Sequence, residues 1–179
     1  IVALERFSSN MYTVISAPPS SFINLYRSGD QRRTKFYKRV TSSTYSLLKG
    51  GNDEFSSSFR TSEIYLIAAE AAWANGDYTT AAKWLTELCN ERVLDGKDAE
   101  YAAWTATLTS NDAIKNALVY NWRVEMWGEG YGLQTLRRLS KNVMLGENHL
   151  SRGNKEIAGS EVTNQCQIPS SETRYNPWL

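Results

Sequence analysis

The chain has 179 residues, 41% of them hydrophobic and 22% charged, an ordinary globular balance that excludes wholesale disorder. With 20 Lys and Arg against 19 Asp and Glu the net charge is +1, so there is no basic footprint for nucleic acid. The longest apolar-looking stretch, residues 65–74, is interrupted by Glu70 and falls short of the roughly 20 residues that a membrane span needs.

A chain of this length buries about 70% of its unfolded surface, enough for one core without metals or disulfides, and a single domain is expected. Six Trp, ten Tyr and five Phe form an aromatic surplus. Such rings fill cores, and at a surface they form rigid platforms on which sugars stack. Cys89 and Cys166 lie far apart in no metal-ligand pattern, and the single His cannot complete a Cys/His cluster. The chain begins at Ile1 without a signal-peptide pattern, as expected of a processed protein.

Residues 1–59 are rich in Ser, Gly, Asn and Pro, with aromatics at irregular spacing, and read as loop with short elements. Pro18-Pro19-Ser20-Ser21 starts and Ser28-Gly29-Asp30 stops a short helix over 22–27. Residues 34–40 and 43–48 carry β-branched and aromatic side chains and predict a small two-stranded element. From Thr61 a helix is predicted by Ile64, Ala68, Ala71 and Ala72 on one face, with Glu63 in the first turn and a stop at Asn75-Gly76. Asp77 caps a second helix with the face Tyr78, Ala81, Ala82, Leu85, Leu88 and Cys89, expected to end near residues 94–96. A turn this tight makes the two helices antiparallel and close to the helix-turn-helix unit of tetratricopeptide repeats. One such hairpin cannot bury its outer face and must stack on other helices.

A short helix over 99–108 follows, and then Asn111 or Asp112 caps a strong helix carrying Ile114, Leu118, Trp122 and Met126. It is expected to end at Gly128-Glu129-Gly130, with one more short helix over 133–139. Beyond it, prolines in Gln167-Ile168-Pro169 and Asn176-Pro177-Trp178-Leu179 predict an extended tail over 140–179. The fold expected is therefore mostly α: a tetratricopeptide-like hairpin (60–96) packed with further helices (97–139) and long irregular loops, of the α-α superhelix type.

Taken in order, these landmarks resemble the SusD/RagB family. The likeness rests on Ser21-Phe22-Ile23-Asn24-Leu25-Tyr26 with Asp30-Gln31-Arg32-Arg33, similar to that family's short helix and Asp-x-Arg turn. It continues through Arg60-Thr61-Ser62-Glu63-Ile64-Tyr65-Leu66-Ile67-Ala68-Ala69-Glu70-Ala71, the repeat-like turn, Asn90-Glu91-Arg92, and Trp122-Arg123-Val124-Glu125-Met126-Trp127-Gly128-Glu129-Gly130 leading to Arg137-Arg138. Ile168-Pro169, Glu172 and Asn176-Pro177 complete it. Trp122 stands where many relatives have Glu, and Gly132 and Thr135 replace an Arg and an Asp often seen there, a subgroup difference. The resemblance implies the C-terminal portion of a nutrient-binding lipoprotein, held on the outward face of the outer membrane by a lipid on a segment upstream of this chain. It would capture glycans or peptides and close over a SusC-like TonB-dependent transporter.

Catalysis is the rival reading, because Glu63, Glu70, Glu125 and Glu129 offer the two carboxylates of a glycosidase. However, Glu125 and Glu129 at i, i+4, near Arg123 and Arg137-Arg138, read better as structural ion pairing. No catalytic residue, cofactor or metal site is assigned. His149 sits in a polar loop with no nucleophile motif, and neither Asn111-Asp112 nor Asn52-Asp53-Glu54 has the alternating oxygen ligands of a Ca²⁺ loop. A second rival is a protein-interaction scaffold without a glycan site. In the nutrient-binding reading, Tyr12 and Tyr26 are the expected ligand-stacking rings, both flanked by polar groups in the irregular region. Glu70 is expected to be structural, and Cys89 and Cys166 to remain unbridged.

Overall fold

The computed structural model describes residues 3–5, 18, 20–42, 45–48, 55–57, 60–144 and 156–159. Two compact units divide the chain, Ile1–Gly130 and Tyr131–Leu179. The described structure is mainly α-helical.

In the first unit, β1 (Ala3–Glu5) pairs antiparallel with β4 (Phe55–Ser57), and β2 (Tyr37–Arg39) with β3 (Tyr45–Leu47). The second of these is the two-stranded element expected from sequence. Two short helices, α1 (Ser20–Ile23) and α2 (Arg32–Lys35), precede the frame of α3 (Thr61–Ala74), α4 (Tyr78–Asn90), α5 (Asp98–Thr105) and α6 (Asn111–Glu125). The second unit holds α7 (Gly132–Arg138) and a small hairpin of β5 (Val143–Met144) with β6 (Glu156–Ile157). Asn142 closes that hairpin, its amide donating to Glu156 at 2.7 Å and its oxygen accepting from the Gly159 N–H at 3.1 Å. The hairpin was not expected in the tail, whose remaining residues lie outside those described.

The helical hairpin forms as its sequence dictates. Gly76 takes φ +77°, the left-handed conformation that a tight helix exit requires, and the Asp77 carboxylate caps α4 by accepting from the Thr80 N–H at 3.0 Å. Ala81, Leu85, Leu88 and Cys89 are buried, as their spacing predicts. Cys89 is a free thiol, pushed up to about 11 by burial; Cys166 lies outside the described residues. Three expectations are corrected. The helix α4 stops at Asn90, not near 94–96. Ser110 rather than Asn111 or Asp112 caps α6, its hydroxyl accepting from the Ala113 N–H. The buried face of α3 is Ser62, Glu63, Leu66 and Ala69, whereas Ile64 is 56% exposed. An almost wholly apolar helix has no single stripe, so spacing alone does not fix its rotational phase; packing against α4 and α6 does.

The core near α1 is an aromatic nest. Phe22, Ile23, Tyr26, Tyr37, Leu47 and Val124 are buried together, with Trp127 packed against them. Phe22 meets Tyr26 and Tyr37 edge-on, at centroid distances of 5.8 and 6.3 Å.

Beside this nest lies an ionic cluster centred on Glu125, whose side chain has no solvent exposure. Arg92 grips it bidentately at 3.0 and 3.1 Å, Arg60 donates at 2.7 Å and Arg32 at 3.2 Å. Arg32 is itself fully buried and makes a second, bidentate pair with Asp30 at 2.9 and 2.6 Å. It also donates to the Asn121 oxygen at 3.0 Å. Arg60 spans Glu125 and Glu129. Ion pairing of the two glutamates was expected, but Arg32, Arg60 and Arg92 supply it, not Arg123. Burial alone would raise the Glu125 pKa; hydrogen bonds from Arg92 and the charges of Arg32, Arg92 and Arg60 outweigh it and hold the group at about 2.

Glu70 joins α3 to α6: its carboxylate accepts from the indole N–H of the buried Trp122 at 2.8 Å. Trp122 therefore has its polar atom satisfied.

Removing Glu125 leaves the buried Arg32 with Asp30 as its one acidic partner and takes the shared carboxylate from Arg60 and Arg92, so Glu125→Ala is expected to cost about 3–5 kcal/mol in denaturant unfolding. The folded pKa of Glu125 lies below its ordinary value of 4.5. Its stabilisation is therefore complete above pH 4.5 and lost as pH falls towards 2, a loss that Glu125→Gln should flatten in a stability-against-pH series. Glu70→Ala strands a buried indole N–H and is expected to cost about 1–3 kcal/mol. The double variant with Trp122→Phe should cost less than the sum of the singles in thermal melts.

Candidate ligand-binding site

A turn builds one wall of a cleft in the first unit. After α1 the chain reverses at Gly29, where φ is +80° and a Cβ would fall 2.6 Å from the Lys97 Cβ, so only glycine fits. The reversal pairs Asp30 with Val93 in an antiparallel bridge. The Gln31 N–H donates to the Arg92 carbonyl at 2.9 Å, and the Leu94 N–H to the Gly29 carbonyl at 2.8 Å. These bonds hold the turn at residues 29–31 against residues 92–94, in the link between α4 and α5.

Between the turn and α5 lies a cleft of about 240 Å³ lined, among the described residues, by Arg27, Ser28, Glu100, Tyr101 and Trp104. Tyr101 and Trp104 stand at i, i+3 on α5, one above the other, with rings edge-to-face at 5.9 Å. Tyr101 is buried, and burial followed by the charge of Asp30 raises its pKa; its hydroxyl makes no hydrogen bond in range. The Arg27 guanidinium lies over Trp104, with Cζ 4.0 Å from the ring centroid, and 5.6 Å from that of Tyr120. Trp104 and Tyr120 meet at 5.7 Å and 81°.

Tyr120 ties this cleft to the ionic cluster. Its hydroxyl donates to Asp30 at 2.8 Å and accepts from the Arg27 backbone N–H at 3.1 Å. Its own ionisation is suppressed by burial and then by the Asp30 charge. Glu100 is held by Lys97 at 2.6 Å. Hydrogen bonding from Lys97 and, more weakly, from Ser28 lowers its pKa, so it is an anion across the neutral range. The cleft thus combines the half-buried indole of Trp104, a cation and a carboxylate, chemistry suited to holding a ring that carries hydroxyl groups. A volume below the roughly 300–1,000 Å³ of sites that enclose a drug-sized ligand limits it to one ring or end group.

Of the two rings expected to stack on a ligand, Tyr12 lies outside the described residues. Tyr26 is 6% exposed and belongs to the aromatic nest, so its face is not open to a sugar. Tyr26 lies past the end of α1, packed edge-on against Phe22 and Tyr37. Its hydroxyl donates at 2.9 Å to the carbonyl of Val124, one of the last-turn carbonyls that α6 cannot satisfy itself. That partner is 98 residues away, beyond any local signal. The cleft keeps Arg27 and Ser28 from the region where ligand contacts were expected, but its rings come from a segment read as a polar connection. The i, i+3 pair Tyr101 and Trp104 on an otherwise polar helix was the signal that pointed to it.

A search of curated proteins finds no match to this chain. The sequence model of the SusD family matches residues 6–179, nearly the whole length, spanning the cleft, the hairpin and the ionic cluster. The chain belongs to the SusD family.

Proposed function

We propose that this chain captures glycans at the outward face of the outer membrane and delivers them to a SusC-like TonB-dependent transporter, anchored by a lipid on an upstream segment. The family match over residues 6–179 carries the reading, since the family is one of cell-surface nutrient-binding proteins. A binding role agrees with the candidate site. Among the described residues the lining carries one carboxylate, Glu100, which is ion-paired with Lys97. No helix among the described residues is long and apolar enough to cross a membrane.

The scaffold reading draws on a different observation. Ile64 and Ile67 on α3 are 56% and 47% exposed, a pair of neighbouring apolar side chains suited to protein contact. Electrophoresis of the protein through native gels containing single polysaccharides separates the two. Retardation in at least one glycan gel is expected, with the Ile64→Ser/Ile67→Ser variant retarded equally. Free migration in every gel would overturn the glycan reading.

A further inference from the structure

The guanidinium of Arg27 has no acidic partner and no hydrogen bond from its side chain among the described residues. It is held in place nonetheless: its backbone N–H is fixed by the Tyr120 hydroxyl, and its Cζ rests 4.0 Å over the Trp104 ring. A guanidinium laid on an aromatic face keeps its N–H donors in its own plane, directed past the rim of the ring. An arginine so ordered loses little freedom on engaging an anion, and a planar carboxylate meets its fork with two parallel, charge-assisted hydrogen bonds.

The rest of the cleft restricts what that carboxylate belongs to. Glu100 accepts hydrogen bonds from Lys97 and Ser28, the Ser28 oxygen keeps lone pairs of its own, and Lys97 fixes Glu100 while offsetting its charge. Acceptors beside a cation suit a ligand that carries hydroxyl donors as well as an anion. Glu100 also works against a dianion, because a second negative charge in so small a cleft has one free guanidinium to meet it. We propose that the cleft of Arg27, Ser28, Glu100, Tyr101 and Trp104 is a subsite for a uronic acid residue of an acidic glycan. The carboxylate pairs with Arg27, and the ring hydroxyls donate to Glu100 and Ser28. The assignment rests on the glycan-capture reading and deepens it by naming the substrate class.

Calorimetric titration of the 179-residue chain with oligogalacturonate, oligomannuronate and hyaluronan oligosaccharides, each beside its carboxyl-reduced counterpart, tests the assignment. At least one acidic series should bind at least tenfold more tightly than its reduced form. Arg27→Gln, which keeps the backbone N–H that Tyr120 accepts, should remove that tenfold preference without altering the melting temperature. Trp104→Leu should weaken acidic binding, and raised salt should do so in the wild type but not in Arg27→Gln. Neutral glycans binding while every uronate fails would overturn the subsite and leave the glycan reading standing. So would an unchanged preference in Arg27→Gln, or an acidic peptide that competes as well as the uronates. Failure of acidic and neutral glycans alike would overturn both.

Discussion

Glu125 occupies an unfavourable position for a carboxylate. It is the last residue of α6, at the negative end of the helix macrodipole, and its side chain is wholly removed from water. Desolvating a single ion costs several kcal/mol even after relaxation, so this placement persists only because three guanidiniums converge on it. Each arrives from a different stretch of chain: Arg32 from the start of α2, Arg60 from the entry to α3, and Arg92 from the exit of α4. Arg60 also donates to the Glu125 carbonyl at 3.2 Å, satisfying a backbone group that the helix end leaves open. An alternative packing of α3 and α4 on α6 would strand that carboxylate, so the cluster selects one arrangement of the frame.

The same cluster sets the geometry of the cleft. Asp30, gripped by Arg32, is the acceptor that orients Tyr120, and Tyr120 in turn holds the Arg27 backbone. A side chain on the protein surface is thus ordered through a fully buried ion pair two contacts away. That second layer of support distinguishes a preorganised site from a chance grouping of polar residues. Part of the aromatic surplus serves the interior: the nest of Phe22, Tyr26, Tyr37 and Trp127 packs the end of α6 against α1 and β2. Tyr101 and Trp104 of α5 line the cleft instead.

Family membership and the cleft address different levels of function. Membership supplies the broad role of a nutrient-binding protein at the cell surface. In the proposed subsite, the ligand chemistry falls to side chains on the turn and on α5, set upon a frame held by ion pairs and packing. Specificity can change there at little cost to the fold, because Arg27 and Glu100 are exposed and neither is part of the Glu125 cluster.

Local patterns in the sequence determined the helical frame: the glycine exit at Gly76, the Asp77 cap, the α4 face from Ala81 to Cys89, and the α6 series Ile114, Leu118, Trp122 and Met126. Each depends on neighbours within about one or two turns, where spacing and capping chemistry act directly. The likeness to the SusD family was also legible, since it rests on ordered motifs. Tertiary structure alone decided the rotational phase of α3, the burial of Tyr26, the arginines around Glu125 and the joining of Arg27 to Trp104. In the last three, the partners stand tens of residues apart in the chain. Periodicity says which residues share a face, but only the closing of those distant segments says which face is covered and which charge finds its counterion.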